Sequence, residues 1–368
     1  MDAVREWVPP MRDNSPPHRS RRRRPLTRAF AALGAGLALA VAGCGGGGTS
    51  GEAPGGGEVT PVTFLNVIPI ESLTYTPEII AKASGHFARE GLEVEFQVTR
   101  GSAQAIQTVI AGGAQITRVG DTEMMVATGE RGAPVKAVAQ PSQASTLRVL
   151  SSAERPVATP QDMRGKMIGI PSEGGTSETL VDTLANSAGL AEGDLNKQVV
   201  GLSPGVFDLV KQGRIDAYLV AMDASVVVKQ QEPTAVVLDP AQFMAGGTQV
   251  YMTSQETLGD PAKRDVVQRY LRAIKAAMEQ VIADQSLDQT LELLGSEYDI
   301  PVLQQPEVAK ETLRTYIASW QANKGPLLET PADKWKAIYG EAVEVGQVPG
   351  GLDPSAWFTN ELLPGASS

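Results

Sequence analysis

Twice in this chain a serine, a helical run of about ten residues and a glycine lead directly into a short apolar strand pattern. This repetition limits the possible folds more than any other feature. The first unit runs from Ser102 to Gly112 and into Gln115–Val119, and the second from Ser203 to Gly213 and into Ile215–Val220. Each strand pattern is followed by an acid, Asp121 in one case and Asp223 in the other. Further strand patterns stand at Val62–Val67, Leu92–Val98 and Met167–Ile170, with helical patterns at Thr76–Phe87 and Ser177–Ala188 between them. Such alternation predicts helices covering a sheet, because parallel strands need a crossover that packs on the sheet face. A chain of 368 residues exceeds what one hydrophobic core usually organises. The two echoing blocks are therefore expected to be two α/β lobes, each a mostly parallel sheet flanked by helices.

From Tyr251 onward the pattern reads as helical. Asp260-Pro261 is a cap followed by a first-turn proline, and Val267, Tyr270, Leu271, Ile274, Met278 and Val281 recur at helical spacing on one face. More helices are expected at about 307–320 and 331–345. These would pack back on the first lobe, so the chain should cross between lobes near Gln140–Thr146 and near Met244–Val250. The expected division is residues 61–142 with 247–368 as lobe 1, and residues 143–246 as lobe 2.

The N-terminus has the layout of an export signal. Arg19, Arg21 to Arg24 and Arg28 precede an uncharged stretch, Ala29–Gly43, that ends in Val41-Ala42-Gly43-Cys44. This resembles a bacterial lipobox, which implies a signal peptide over residues 1–43 and a lipid on Cys44, the only cysteine. Ser20-Arg21-Arg22 fits general or twin-arginine export. Residues 44–60 read as a Gly-rich tether, too poor in apolar surface to order. Residues 1–43 carry eight Arg and three acids, so the remainder holds 24 basic and 39 acidic residues, a net charge of about −15. Nucleic acid is an unsuitable partner for such a surface, since its affinity comes from phosphate neutralisation. The exported part keeps one histidine, His86, and no cysteine but Cys44. No Cys/His metal set, no disulfide and no nucleophile–histidine pair is available from these, and no cofactor is expected.

The run Thr76-Pro77-Glu78-Ile79-Ile80-Ala81-Lys82-Ala83-Ser84-Gly85-His86-Phe87-Ala88-Arg89-Glu90-Gly91-Leu92-Glu93-Val94 resembles the opening of the nitrate/sulfonate/taurine-type (SsuA-like) and thiamine-pyrimidine-type periplasmic binding proteins. The resemblance continues through Gly112-Gly113-Ala114-Gln115-Ile116, Gly120-Asp121-Thr122, Asp162-Met163-Arg164-Gly165-Lys166 and Gly213-Arg214-Ile215-Asp216-Ala217. It implies a type 2 periplasmic-binding fold and a lipoprotein on the outer face of the cytoplasmic membrane. Such a protein captures a small solute for an ABC permease and its ATPase. Gln115 and His86 depart from the family pattern, where an acid and an aromatic residue are usual. An enzyme like the fungal pyrimidine synthases, which share this fold, would need the histidine and cysteine-rich site that this chain lacks. A ligand sensor acting through a separate partner is the third reading.

Ligands of parallel α/β sheets bind beyond the carboxyl ends of the strands. That rule selects Asn66, Ile68 and Glu71 after the first strand, Ser102 after the second, and Gly120, Asp121 and Thr122 after the third. In the second block it selects Ser172, Gly174, Gly175, Thr176 and Ser177, then Ser203 and Asp223. The Gly-rich loop before Ser177 would offer backbone N–H groups at a helix start to an anion or a carbonyl oxygen. Arg118 needs a partner, since a central strand rarely carries an unpaired cation. A ligand carboxylate or sulfonate would serve, as would Asp121 or Glu71. A small organic anion is the first expectation for the solute, and a neutral aromatic one resting on Tyr75 is the alternative.

Overall fold

The computed structural model describes residues 59–171, 176–191, 193–201 and 204–365. The signal peptide, Cys44, most of the tether, Ser172, Gly174, Gly175 and Ser203 lie outside the described residues.

Ten strands form two five-stranded sheets. They are β1 (Thr60–Asn66), β2 (Leu92–Val98), β3 (Ile116–Gly120), β4 (Val135–Ala139), β5 (Leu147–Ser151), β6 (Met167–Ile170), β7 (Asn196–Val199), β8 (Ala217–Ala221), β9 (Val236–Leu238) and β10 (Gln249–Ser254). The first sheet has the order β2-β1-β3-β10-β4 and the second β7-β6-β8-β5-β9. The two orders correspond strand for strand. In each, the first three strands pair parallel, and one antiparallel strand separates the third from the last. That antiparallel strand is always the one arriving from the other lobe, β10 in the first sheet and β5 in the second. The sheets are accordingly mixed, and the molecule is a two-lobed α/β protein. One expectation needs correction: the segment at Tyr251, read as the start of the helical region, is the interior strand β10, between β3 and β4.

Both repeated glycines end a helix in the left-handed region, Gly112 at φ 75° after the helix Ser102–Ile110 and Gly213 at φ 72° after Phe207–Lys211. The chain can then turn straight into β3 or β8. The helix Pro261–Ala283 is capped by Asp260, whose carboxylate accepts from the N–H groups of Ala262 (2.9 Å) and Lys263 (3.2 Å). Its buried face, including Val267, Leu271 and Met278, packs on the first lobe with Tyr270 stacked on Phe87 and Phe64. The second lobe divides its core between the two faces of its sheet, around Val149, Ile168 and Leu184 on one and around Leu150, Val210 and Tyr218 on the other. Among the described residues no helix is long and apolar enough to cross a membrane.

The chain leaves the first sheet after Ala139, enters the second at Leu147, and returns between Leu238 and Gln249. The C-terminal helices brace these passages. The amide of Gln140 donates to Leu328 O (2.8 Å) and that of Gln143 to Ser319 O (2.7 Å), where Ser319 lies on the helix Pro306–Trp320.

Candidate functional site

The carboxyl ends of β1 and β8 meet across the lobes. Asn66, the last residue of β1, is 2% exposed, and its Nδ2 donates to Ile68 O (2.6 Å), which folds the chain into a turn. Its Oδ1 is buried without a hydrogen-bond partner. Beyond that turn Ser72 caps the short 3-10 turn Leu73–Tyr75, and its hydroxyl donates to Asp223 Oδ2 of the other lobe at 3.4 Å. Asp223 opens the helix Met222–Gln231, and its Oδ1 accepts from the Ala224 N–H at 2.8 Å. Burial pushes its carboxyl up, against these hydrogen bonds. Glu71 is exposed and shares with Asp223 the lining of a cavity of about 300 Å³, walled by Val227, Ile300 and Val302.

On the other flank of the cleft a cavity of about 430 Å³ is lined by Ile106, Gln107, Thr122, Glu123 and Val126 of the first lobe and Thr179 of the second. Two helix starts lie close by. Ser102, buried, begins the helix Ser102–Ile110, which no side chain caps, and Thr122 belongs to the helix Asp121–Met125. Thr176 is the first residue of the second-lobe helix Thr176–Ser187, and Ser177 beside it is half-buried. Gly120 is buried at the end of β3. The cleft thus offers uncharged hydrogen-bonding groups, aliphatic walls and the half-buried carboxylates of Glu123 and Asp223, with the exposed Arg131 at the rim of the larger cavity. Among the described residues no group of three or more His, Cys, Asp or Glu is arranged to hold a metal ion.

Arg118 does not belong to this set. It is 2% exposed in the first-lobe core, where its Nη1 donates to both carboxylate oxygens of Glu78 (3.0 and 3.2 Å) and its Nη2 to Thr74 O (2.6 Å) and Thr74 Oγ1 (3.0 Å). Its guanidinium lies 4.4 Å from the centre of the Tyr75 ring. Tyr251 completes the cluster by donating its hydroxyl to Glu78 Oε1 at 2.7 Å. Burial pulls the guanidinium down, but the adjacent Glu78 more than offsets this and holds Arg118 in its charged form. The partner anticipated for Arg118 is therefore Glu78, not Asp121 or Glu71. Tyr75 is wholly buried, with its hydroxyl accepting from the Val67 N–H at 3.1 Å.

A family described as NMT1/THI5 like matches residues 73–286, more than half of the sequence. The chain belongs to the NMT1/THI5-like family. Its curated relatives include the riboflavin-binding protein RibY of Chloroflexus aurantiacus, 24% identical over 324 residues that make up 87% of this chain and 91% of RibY. Among solved structures, the alkanesulfonate-binding protein SsuA of Xanthomonas axonopodis superposes with a TM-score of 0.62 at 14% identity, covering 83% of this chain and 99% of that one. The periplasmic nitrate-binding protein NrtA of Synechocystis gives 0.61 at 14% identity, covering 83% and 87%. At such identities the likeness establishes the periplasmic-binding fold that the NMT1/THI5-like sequence already implied.

In this NMT1/THI5-like chain Asp121 faces inward. It is fully buried and accepts from the N–H groups of Thr122 (2.7 Å) and Thr248 (3.0 Å) and from the Thr248 hydroxyl (2.8 Å). Burial raises its carboxyl above the usual range, opposed by the Thr248 hydrogen bonds. His86 stands between Gln280 Oε1 (2.7 Å) and Arg89 (2.6 Å) on the outer surface of the first lobe. Sequence reasoning passed over Ser72, Thr74 and Glu78. Of these only Glu78 carried a signal, as an acid beside the two inward-facing isoleucines of its helix.

Proposed function

We propose that this chain is an exported solute-binding protein. It captures a small solute between its lobes and hands it to an ABC permease and its ATPase, tethered to the outer face of the cytoplasmic membrane by a lipid on Cys44. The observation that carries this reading is the cleft itself, where strand-end groups of two lobes meet at Ser72 and Asp223 while the chain passes between the lobes only twice. Such an arrangement encloses a ligand by lobe closure and releases it by reopening. The names of RibY, SsuA and NrtA point to the same class of role. No residue is assigned a catalytic part.

The solute is read as neutral, with an apolar body and hydrogen-bonding edges. Arg118, the one cation that favoured an anion, is engaged by Glu78. The groups left at the strand ends, Asn66, Ser102, Thr122 and Asp223, suit amide, hydroxyl or heterocyclic nitrogen partners. The buried Asn66 Oδ1 asks for a donor. A surface of about −15 also disfavours the approach of an anion.

Riboflavin, an alkanesulfonate and nitrate, offered to the full chain in a thermal-shift titration, separate these readings. Riboflavin is expected to raise the melting temperature and to reduce the radius of gyration in solution scattering. Asn66→Ala should weaken its binding at least about tenfold, equivalent to about 1.4 kcal/mol. Binding of the sulfonate or nitrate alone would overturn the neutral reading and leave the transport role standing. A full set of flavin, sulfonate, nitrate and pyrimidine solutes producing neither shift nor contraction would overturn both. Cys44→Ser should free the protein from the membrane fraction, and a variant that stays membrane-bound at mature size excludes the lipid anchor.

A further inference from the structure

Two carboxylates of the first lobe grip four consecutive amides of the returning passage. Glu341, on the helix Ala332–Glu344, accepts from the N–H groups of Ala245 (2.5 Å) and Gly246 (2.9 Å). Asp121 accepts from those of Gly247 (3.3 Å) and Thr248 (3.0 Å). The Thr248 hydroxyl donates to Asp121 at 2.8 Å and accepts from Gln140 Nε2 at 2.7 Å, where the chain is leaving the first lobe. Lys334 donates to the carbonyl of Gln143 on that outgoing passage. Its ammonium also faces both Asp121 and Glu341. The two passages are then joined to each other by the Thr146 amide, which donates to Gly247 O at 3.2 Å. Gly247 sits at φ 81°, and a Cβ there would lie 2.9 Å from Ser145 Oγ and 2.8 Å from Leu180 Cδ1.

We propose that Asp121 and Glu341 are positioning residues that fix where the lobes pivot. Residues 140–143 and 245–248 are both fastened to the first lobe, so bending is confined to Ala144–Thr146 on the way out and Phe243–Met244 on the way back. Opening the clamp would cost buried hydrogen bonds that water cannot replace one for one. Releasing it would add four residues to the pivot and widen the range of lobe angles. Asp121 also accepts from the Thr122 N–H, and Thr122 lines the cleft cavity. A solute touching Thr122 and the bending of the passage therefore act on one carboxylate. This holds whichever solute fills the cleft.

The test needs no ligand. Spin labels at Val98→Cys on the first lobe and Val237→Cys on the second, both exposed positions, report the lobe-to-lobe distance distribution in the full chain carrying Cys44→Ser. Glu341→Gln and Thr248→Val are each expected to widen that distribution. Glu341→Gln should also speed hydrogen exchange of the Ala245 and Gly246 amides about tenfold or more, a change of about 1.4 kcal/mol in local opening. The control is Thr253→Val, which removes a β10 hydroxyl bonded to Gln115 O away from the passages. It should leave the distribution unchanged. The proposal fails if both clamp variants keep the parent width, or if Thr253→Val widens it equally. Should Thr248→Val not fold, Glu341→Gln decides by the same comparison.

Discussion

A guanidinium on a central strand needs an anion, and at Arg118 that anion comes from the neighbouring helix. The need was legible in the sequence, because the strand is otherwise uncharged. The identity of the partner was not, because Glu78 lies 40 residues away, and an acid beside inward-facing isoleucines does not name the cation it meets. Removing one member of a buried pair strands the other in a medium that cannot solvate it. Arg118→Met is therefore expected to lower unfolding stability by about 3–5 kcal/mol in a urea titration, and Arg118→Met with Glu78→Leu to recover much of that loss. An Arg118→Met protein of parental stability would remove the pair from the account of the core. Asp223 carries a pH prediction. Burial raises its carboxyl above the unfolded value, so its contribution to stability is fully present below the unfolded value and is lost as pH rises through the folded one. Asp223→Asn should melt above the parent at neutral pH, with the difference vanishing below about pH 4. A difference that grows on acidification would reverse the sign and reject this assignment.

Among the elements, those with explicit stop and start chemistry were readable and several strands without it were not. Gly112 and Gly213 marked two helix ends, and Asp260-Pro261 marked the start of the longest helix, because each supplies a backbone need that few residues meet. The strands β4, β5 and β9 escaped notice. Lys136 and Arg148 interrupt the first two, and the third holds only three residues, too few for a period to emerge. The strand β10 was hidden differently, since its neighbours on both sides in the sheet come from residues more than a hundred positions earlier. Gly112→Ala tests the element reading: open space surrounds its Cβ position, so the whole penalty is the left-handed backbone, about 1–2 kcal/mol. Gly213→Ala should lose at least as much, because Arg155 Nη1 stands 3.0 Å from the new Cβ. Thermal unfolding of both proteins checks the order, and a neutral Gly112→Ala would show that the turn adopts another conformation.

At the level of the molecule, the two-lobed plan followed from the repeated strand–helix units and the length, and the strand ends named from it include residues that now line the cleft. Part of the site was beyond sequence reading because Ser72, which meets Asp223 across the lobes, lies in the irregular turn after β1, which has no period and no motif. The interlocked sheets also carry a consequence for the order of synthesis. The strand β4 has no neighbour until β10 emerges, and β3 and β4 cannot be joined before then. All five strands of the second sheet, by contrast, are complete once Leu238 has been made. The later-begun lobe can thus finish first. The earlier one must wait through roughly a hundred further residues with the apolar edge of β3 uncovered, a delay during which a partner that holds chains unfolded would find its substrate.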